Sequence, residues 1–245
     1  MSQPTPIPTP PTVLLVMAHP DDGEFMCGAV IARWAREGAN IHYCVLTNGD
    51  VGSADLEMTS ARLIALRKDE QREAARRLGV TNDVIFLDYV DSTLEHTQAL
   101  RKDVTRVIRR TRPDVVVTQD PTTFWHGQSY INHPDHRVVG DVTFAAVMPS
   151  ISMHLIFPDL YAEEQLAPHR VKELYLTNTL KTDRWVEVLE EDLKRQVEAL
   201  QAHTTQLTQD PTERIFTGAK ENAQEARSYG HDFAYATGFK YFRFS

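Results

Sequence analysis

Short apolar runs alternate with segments of helical spacing through the first half of the chain, and that alternation leaves few folds open. The runs are VLLVM (13–17), IHYCVLT (41–47), DVIFLD (83–88) and DVVVTQD (114–120). Between them, residues 25–37 place Ile31, Trp34 and Ala35 on one side of a helix. Residues 61–79 carry Leu63, Leu66, Ala74 and Leu78 in one stripe before a glycine stop at Gly79, and residues 98–112 read as a basic helix. Strand, helix, strand in repetition predicts an α/β fold with a doubly wound, mostly parallel sheet and helices on both faces. Ligands of such sheets bind beyond the carboxyl ends of the strands. AHPDDGE (18–24) follows the first run, NGD (48–50) the second and DPTTFWHGQSYINHPDH (120–136) the fourth, so three polar loops are predicted on one rim.

With 245 residues, 42% of them apolar and 24% charged, the chain can bury a sizeable core. One domain over residues 12–245 is expected, after an extended or disordered proline-rich tail at residues 1–11. That tail lacks the basic and apolar regions of a secretion signal, which points to the cytoplasm. A net charge of −8 offers no footprint for nucleic acid, and no apolar run approaches the roughly 20 residues of a membrane span. Cys27 and Cys44 read as small core residues. Beyond residue 150 the pattern weakens. HLIF (154–157), VKELYLTN (171–178) and RWVEV (184–188) read as strands, residues 190–207 as an amphipathic helix, and PDLYAEEQLAPHR (158–170) as an insertion. The basic stretch RKDVTRVIRRTR (101–112) is expected to face solvent.

Two of the rim loops carry histidine and carboxylate at short spacing: His19-Pro20-Asp21-Asp22 and His133-Pro134-Asp135-His136. Adjacent carboxylates at the mouth of a buried strand repel each other and resist desolvation. A bound cation removes both costs. A catalytic zinc takes three imidazole or carboxylate ligands and leaves a position for water, and two such clusters on one rim can close that sphere. The loop before the second cluster also offers Trp125, His126 and Tyr130. Aromatic faces beside polar donors suit a sugar ring, though the same side chains could simply pack the loop down.

AHPDDGE with the later HPDH resembles the LmbE-like, or PIG-L, family of zinc-dependent N-acetylglucosamine deacetylases. The resemblance extends to TNGD (47–50), to RKDEQREAARRLGV (67–80) and to EALQAHTTQ (198–206), and so spans roughly residues 12 to 210. It implies a Rossmann-like sheet, in accord with the reading above. It further implies that His19, Asp22 and His136 hold Zn2+ or another divalent transition metal. Asp21 is then the general base that takes a proton from water and delivers it to the leaving amine, and His133 stabilises the oxyanion. Asp135 would orient a flanking histidine through its ring N–H, and Glu24 would help fix the first loop or serve as a helix N-terminal carboxylate. Arg67 matches a family arginine that contacts substrate, beside Trp125 and Tyr130 as candidate substrate-binding residues. His203, within the AHTTQ match, is left out of the site. The chain departs from the family pattern at AYATGFKYF (234–242), where Thr237 stands in place of a glutamate, and the role of the segment after about residue 210 is left open.

The activity so implied is hydrolysis of an acetyl group from an N-acetylated sugar conjugate, a small-molecule partner; self-association into a homo-oligomer is left open. The alternative from another reaction class is a zinc-dependent hydratase acting on an unsaturated dicarboxylate. The intact HPDD favours deacetylation, because it supplies a ligand and an adjacent base. A nucleotide-binding module is disfavoured: the first strand-to-helix turn holds only Gly23 and Gly28 and lacks G-x-G-x-x-G spacing.

Overall fold

A computed structural model describes residues 8–244; most of the proline-rich tail, residues 1–7, lies outside the described residues. The first half follows the expected alternation. Strand β1 (Thr12–Met17), helix α1 (Asp22–Arg36), β2 (Asn40–Thr47), α2 (Ser60–Arg77), β3 (Ile85–Tyr89), α3 (Gln98–Thr111) and β4 (Val115–Gln119) come in that order. A small hairpin, β5 (Trp125–His126) and β6 (Tyr130–Ile131), precedes α4 (Pro134–Ala145) and a π-turn at Ala146–Ser150. The second half holds a short helix α5 (Asp159–Ala162), β7 (Glu173–Thr177), β8 (Arg184–Glu187), α6 (Glu190–Leu200), α7 (Thr212–Arg227) and β9 (Ala236–Arg243).

Seven strands form one sheet in the order β3-β2-β1-β4-β7-β9-β8. β3, β2, β1, β4 and β7 pair in parallel, and β9 runs antiparallel to both β7 and β8. Burial on two faces explains why the first runs are continuously apolar. Val13, Leu15 and Met17 of β1 join a core with Ile31 and Trp34 of α1 and Leu193 of α6. Leu14 and Val16, pointing the other way, join Val104 and Ile108 of α3 and Val139 of α4. The chain leaves β1 for β2 and β3 on one side and returns through β4 to the other. That reversal opens a crevice between the carboxyl ends of β1 and β4, where ligands of doubly wound sheets bind.

Three expectations are corrected. Residues 154–157 form turns and not a strand. Arg109 of the basic helix, expected in solvent, is buried, and its guanidinium donates to the carbonyls of Ser150, Ile151, Met153 and Ile156. A side chain thus satisfies the carbonyls that a strand neighbour would have taken. Helix α6 stops at Leu200 and not near residue 207, because Thr204 and Thr205 turn back to bond the carboxylate of Glu70 on α2.

Candidate active site and metal centre

Both histidine motifs open helices at the crevice. His19 follows β1 directly, and Asp21, the N-cap of α1, sits in left-handed backbone at φ 94. An aspartate tolerates that conformation better than most side chains, yet it is strained. Gln71 of α2 holds it, its side-chain oxygen accepting from the Asp21 N–H at 2.9 Å. In the second motif His133 is the N-cap of α4, with Nδ1 accepting from the Asp135 N–H, and Pro134 occupies the first turn, where a missing N–H costs nothing. His136 then falls in the same turn, facing β1.

The inner atoms of His19, Asp22 and His136 converge. His19 Nδ1 lies 3.2 Å from His136 Nε2, which lies 3.1 Å from Asp22 Oδ1, and His19 Nδ1 is 3.4 Å from Asp22 Oδ2. One ligand atom from each of the three falls within 4.8 Å of the others. The outer ring nitrogens are held from behind. His136 Nδ1 meets Asn132 Oδ1 at 2.8 Å, and His19 Nε2 meets Asp91 Oδ1 at 3.1 Å and Asp135 Oδ2 at 3.4 Å. Oxygen acceptors there place the ring protons outward and leave lone pairs pointing inward, as a metal requires. Asp22 is fixed likewise: its Oδ2 accepts from the His19 N–H at 2.8 Å and from Gln119 Nε2 at 3.1 Å.

A second grouping, His19, Asp91, His133 and Asp135, also brings one ligand atom from each within 4.8 Å of the others. Its carboxylates already have donors: Asp135 accepts from the N–H groups of Ser92 and Leu94, and Asp91 Oδ1 from Ser92 Oγ. They therefore serve best as acceptors for His19. The whole cluster favours positive charge. Burial works against a charged His19, but Asp135, Asp22 and Asp91 around it raise its pKa well above the ordinary value. Burial likewise opposes ionisation of Asp22, and His136 and His19 hold its pKa well below the usual range. The donor set fits a divalent transition metal at His19, Asp22 and His136.

Asp21 stands beside this triad, with its Oδ2 accepting from Arg67. Burial raises its pKa to about 6, against the Arg67 guanidinium, which lowers it. Arg67 is itself buried and donates to Asp21 Oδ2 at 3.2 Å and to the carbonyls of Pro20 and Gly49 at 2.6 and 3.0 Å. It clamps the first motif to the turn after β2. Behind it Glu24 is fully buried, accepting from Tyr43 and Gln71, with His203 Nε2 3.5 Å away. His133 is only partly buried, and burial with the nearby His19 charge holds it below the usual histidine pKa. Since its Nδ1 accepts the cap bond, the neutral ring carries its proton on Nε2, 3.3 Å from Ser92 Oγ.

A cavity of about 440 Å3 opens over these groups, lined by His19, Asp21, Arg67, Asp91, His133 and Tyr130 among others. A larger one of about 710 Å3 shares Asp22, Tyr130 and His136 with it and continues toward Asn178, Arg214 and Thr237. Trp125, on the opposite strand of the hairpin from Tyr130, is 60% exposed and lines neither cavity. Sequence reasoning missed Asp91, Ser92, Asn132 and Gln119. Asp91 and Ser92 follow β3, the one parallel strand of the first half whose carboxyl end was not searched, so the rim rule itself would have found them.

This is an α/β chain with a histidine-carboxylate centre at the reversal of its sheet. The family model described as GlcNAc-PI de-N-acetylase matches residues 14–147, and the chain belongs to that family, PIG-L. Diacetylchitobiose deacetylase of Thermococcus kodakarensis is 30% identical over 198 residues, covering 81% of this chain and 71% of that protein. The N,N'-diacetylchitobiose deacetylase of Pyrococcus horikoshii, solved with an inhibitor, superposes with a TM-score of 0.83 at 27% identity over 96% of this chain and 84% of its own. The 4-carboxy-2-hydroxymuconate hydratase GalB of Pseudomonas putida shares the fold, with a TM-score of 0.73 at 20% identity over 96% of this chain and 97% of its own. No helix among the described residues is long and apolar enough to cross a membrane.

Proposed function

We propose that this chain, acting as one catalytic domain over residues 12–245, removes the acetyl group from an N-acetylated amino sugar of the N-acetylglucosamine type. The convergence of His19, Asp22 and His136 beside the unliganded carboxylate of Asp21 carries this reading. It agrees with the activities named for the diacetylchitobiose deacetylases it resembles. His19, Asp22 and His136 would hold zinc, the usual partner of imidazole and carboxylate ligands in hydrolytic sites; iron, manganese or cobalt accept the same donors. A divalent cation bound there supplies Lewis acidity, acidifying a water molecule and polarising the acetyl carbonyl.

The chain's own groups do the rest. Asp21, ionised above pH 6, takes the proton of the attacking water and returns it to the departing amine. His133 donates from Nε2 to the oxygen that becomes negative, a role its neutral tautomer permits without an added proton. Asp135 and Asn132 fix the facing histidines, and Arg67 fixes Asp21 while presenting its edge to the cavity. Tyr130 lines both cavities and is the aromatic contact for the sugar ring; Trp125, on the same hairpin, lines neither.

The test is incubation of metal-loaded protein with N-acetylglucosamine conjugates and, separately, with unsaturated dicarboxylates. Acetate and free amine in equal amounts are expected from the first set. Loss of conjugated absorbance in the second set, with no acetate from the first, would replace this reading with the hydratase one.

A further inference from the structure

The larger cavity exceeds what an acetamido sugar at the metal centre needs. Ligand pockets of about 300–1,000 Å3 hold whole drug-sized molecules, and here about 710 Å3 adjoin the 440 Å3 over the catalytic groups. Its lining includes two groups of opposite sign, Asp22 of the candidate metal centre and Arg214. The rest of the lining includes neutral amides and hydroxyls, Asn178, Thr179, Asn222 and Thr237, which suit the hydroxyls of a polar aglycone.

Arg214 is exposed on the wall of this cavity. It sits in the first turn of α7, where the helix dipole disfavours a cation. Its guanidinium lies 5.2 Å from the centre of the Phe25 ring and forms no ion pair among the described residues. Glu221 shares with it the wall of an adjoining cavity of about 410 Å3 but does not pair with it. Arg214 lines the cavity while resting on Phe25, and a planar guanidinium binds carboxylate or phosphate through two parallel bonds. Its charge reaches across to Tyr130, where it opposes the rise in pKa that burial causes.

Resting on the deacetylase reading, we infer that Arg214 is the cationic contact of an aglycone subsite in this cavity. It selects conjugates whose aglycone carries an anionic oxygen group, a carboxylate or a phosphate, with the acetamido group lying at Asp21 and His133. Thr237, on the walls of the same two cavities, is neutral and adds no counter-charge.

The test compares carboxyethyl, phosphoethyl and carbamoylethyl glycosides of N-acetylglucosamine, in both anomers, with metal-loaded protein. The carbamoyl compound matches the carboxylate in shape and lacks only the charge. At least one anionic glycoside should exceed the carbamoyl one about tenfold or more in kcat/KM, through KM, as expected for a charge-assisted bond; which one does distinguishes carboxylate from phosphate. That ratio should fall to about one in R214Q, survive in part in R214K and fall in T237E. A ratio of one in the unaltered protein, or an unchanged ratio in R214Q, overturns the assignment. If no glycoside releases acetate, the deacetylase reading fails and calorimetry decides the subsite separately: tighter binding of an anionic glycoside, lost in R214Q, upholds it, and equal binding of all three overturns it.

Discussion

His19 Nδ1 and His136 Nε2 face each other at 3.2 Å across the end of β1, and each ring is held from behind by an oxygen acceptor, Asp91 with Asp135 for one and Asn132 for the other. Acceptors placed behind metal-ligating imidazoles orient them and raise their basicity; removing one costs about 10–100-fold in metal affinity. Asn132→Ala should weaken metal binding by that order, while His136→Ala should lose the metal under the same conditions. Competition against a chromophoric chelator measures both. Wild-type affinity in His136→Ala would mean that the metal sits elsewhere.

Asp21 differs from Asp22 in what surrounds it, and the two should respond differently to the same change. Asp21 Oδ2 faces Arg67, whereas Asp22 Oδ1 faces His136. Asp21→Asn should keep about one divalent metal per chain and lower kcat by a factor on the order of 10² or more. Elemental analysis beside a turnover assay separates the two effects, and metal loss in this variant would make Asp21 a ligand and not the base.

The pH dependence follows from the same carboxylate. A general base works ionised, so activity falls as pH drops through its pKa, which burial raises to about 6 against the opposing Arg67. A cation nearby favours the carboxylate, so the acid limb of kcat/KM should lie at or below pH 6, with a loss of about tenfold per pH unit beneath it. Arg67→Met removes the group that lowers the pKa and should move the limb to higher pH. A limb that stays in place in Arg67→Met would assign the titration to another group.

How far the sequence could be read depended on what each segment buries. β1, β2 and β4 are covered on both faces, so they appear as unbroken apolar runs, and the loops after them could be assigned to one rim. The second half carries weaker signals. α7 packs mostly through Ala219, Ala223 and Ala226, residues too small to mark a stripe, and in β9 only Ala236 and Phe239, three apart, reach full burial, so no alternation shows. β9 also enters antiparallel between β7 and β8, a pairing that strand order along the chain does not suggest. In the site, both histidine motifs were legible because their residues lie within one turn of each other. Asp91 and Gln119 were not, since single polar residues at strand ends acquire meaning only when the sheet brings them to His19 and Asp22.

The proposed metal centre also depends on how closely α4 lies on β4. Gly140 packs against the Gln119 carbonyl and Pro121, and a Cβ at that position would collide with both. His136 lies one turn earlier on the same helix, and Gln119 bonds Asp22 through its side chain at 3.1 Å. A methyl group added there has backbone in its way, which cannot yield as a flexible side chain would. Gly140→Ala should therefore force α4 away from the strand end, at a cost of about 1–3 kcal/mol for overpacking, and should separate His136 from Asp22. The expected result is a lower denaturation midpoint for the metal-free protein together with weakened metal affinity, measured on the same preparation. Reduced stability with unchanged affinity would show that the three ligands are set by their loops alone, and not by the contact between helix and strand.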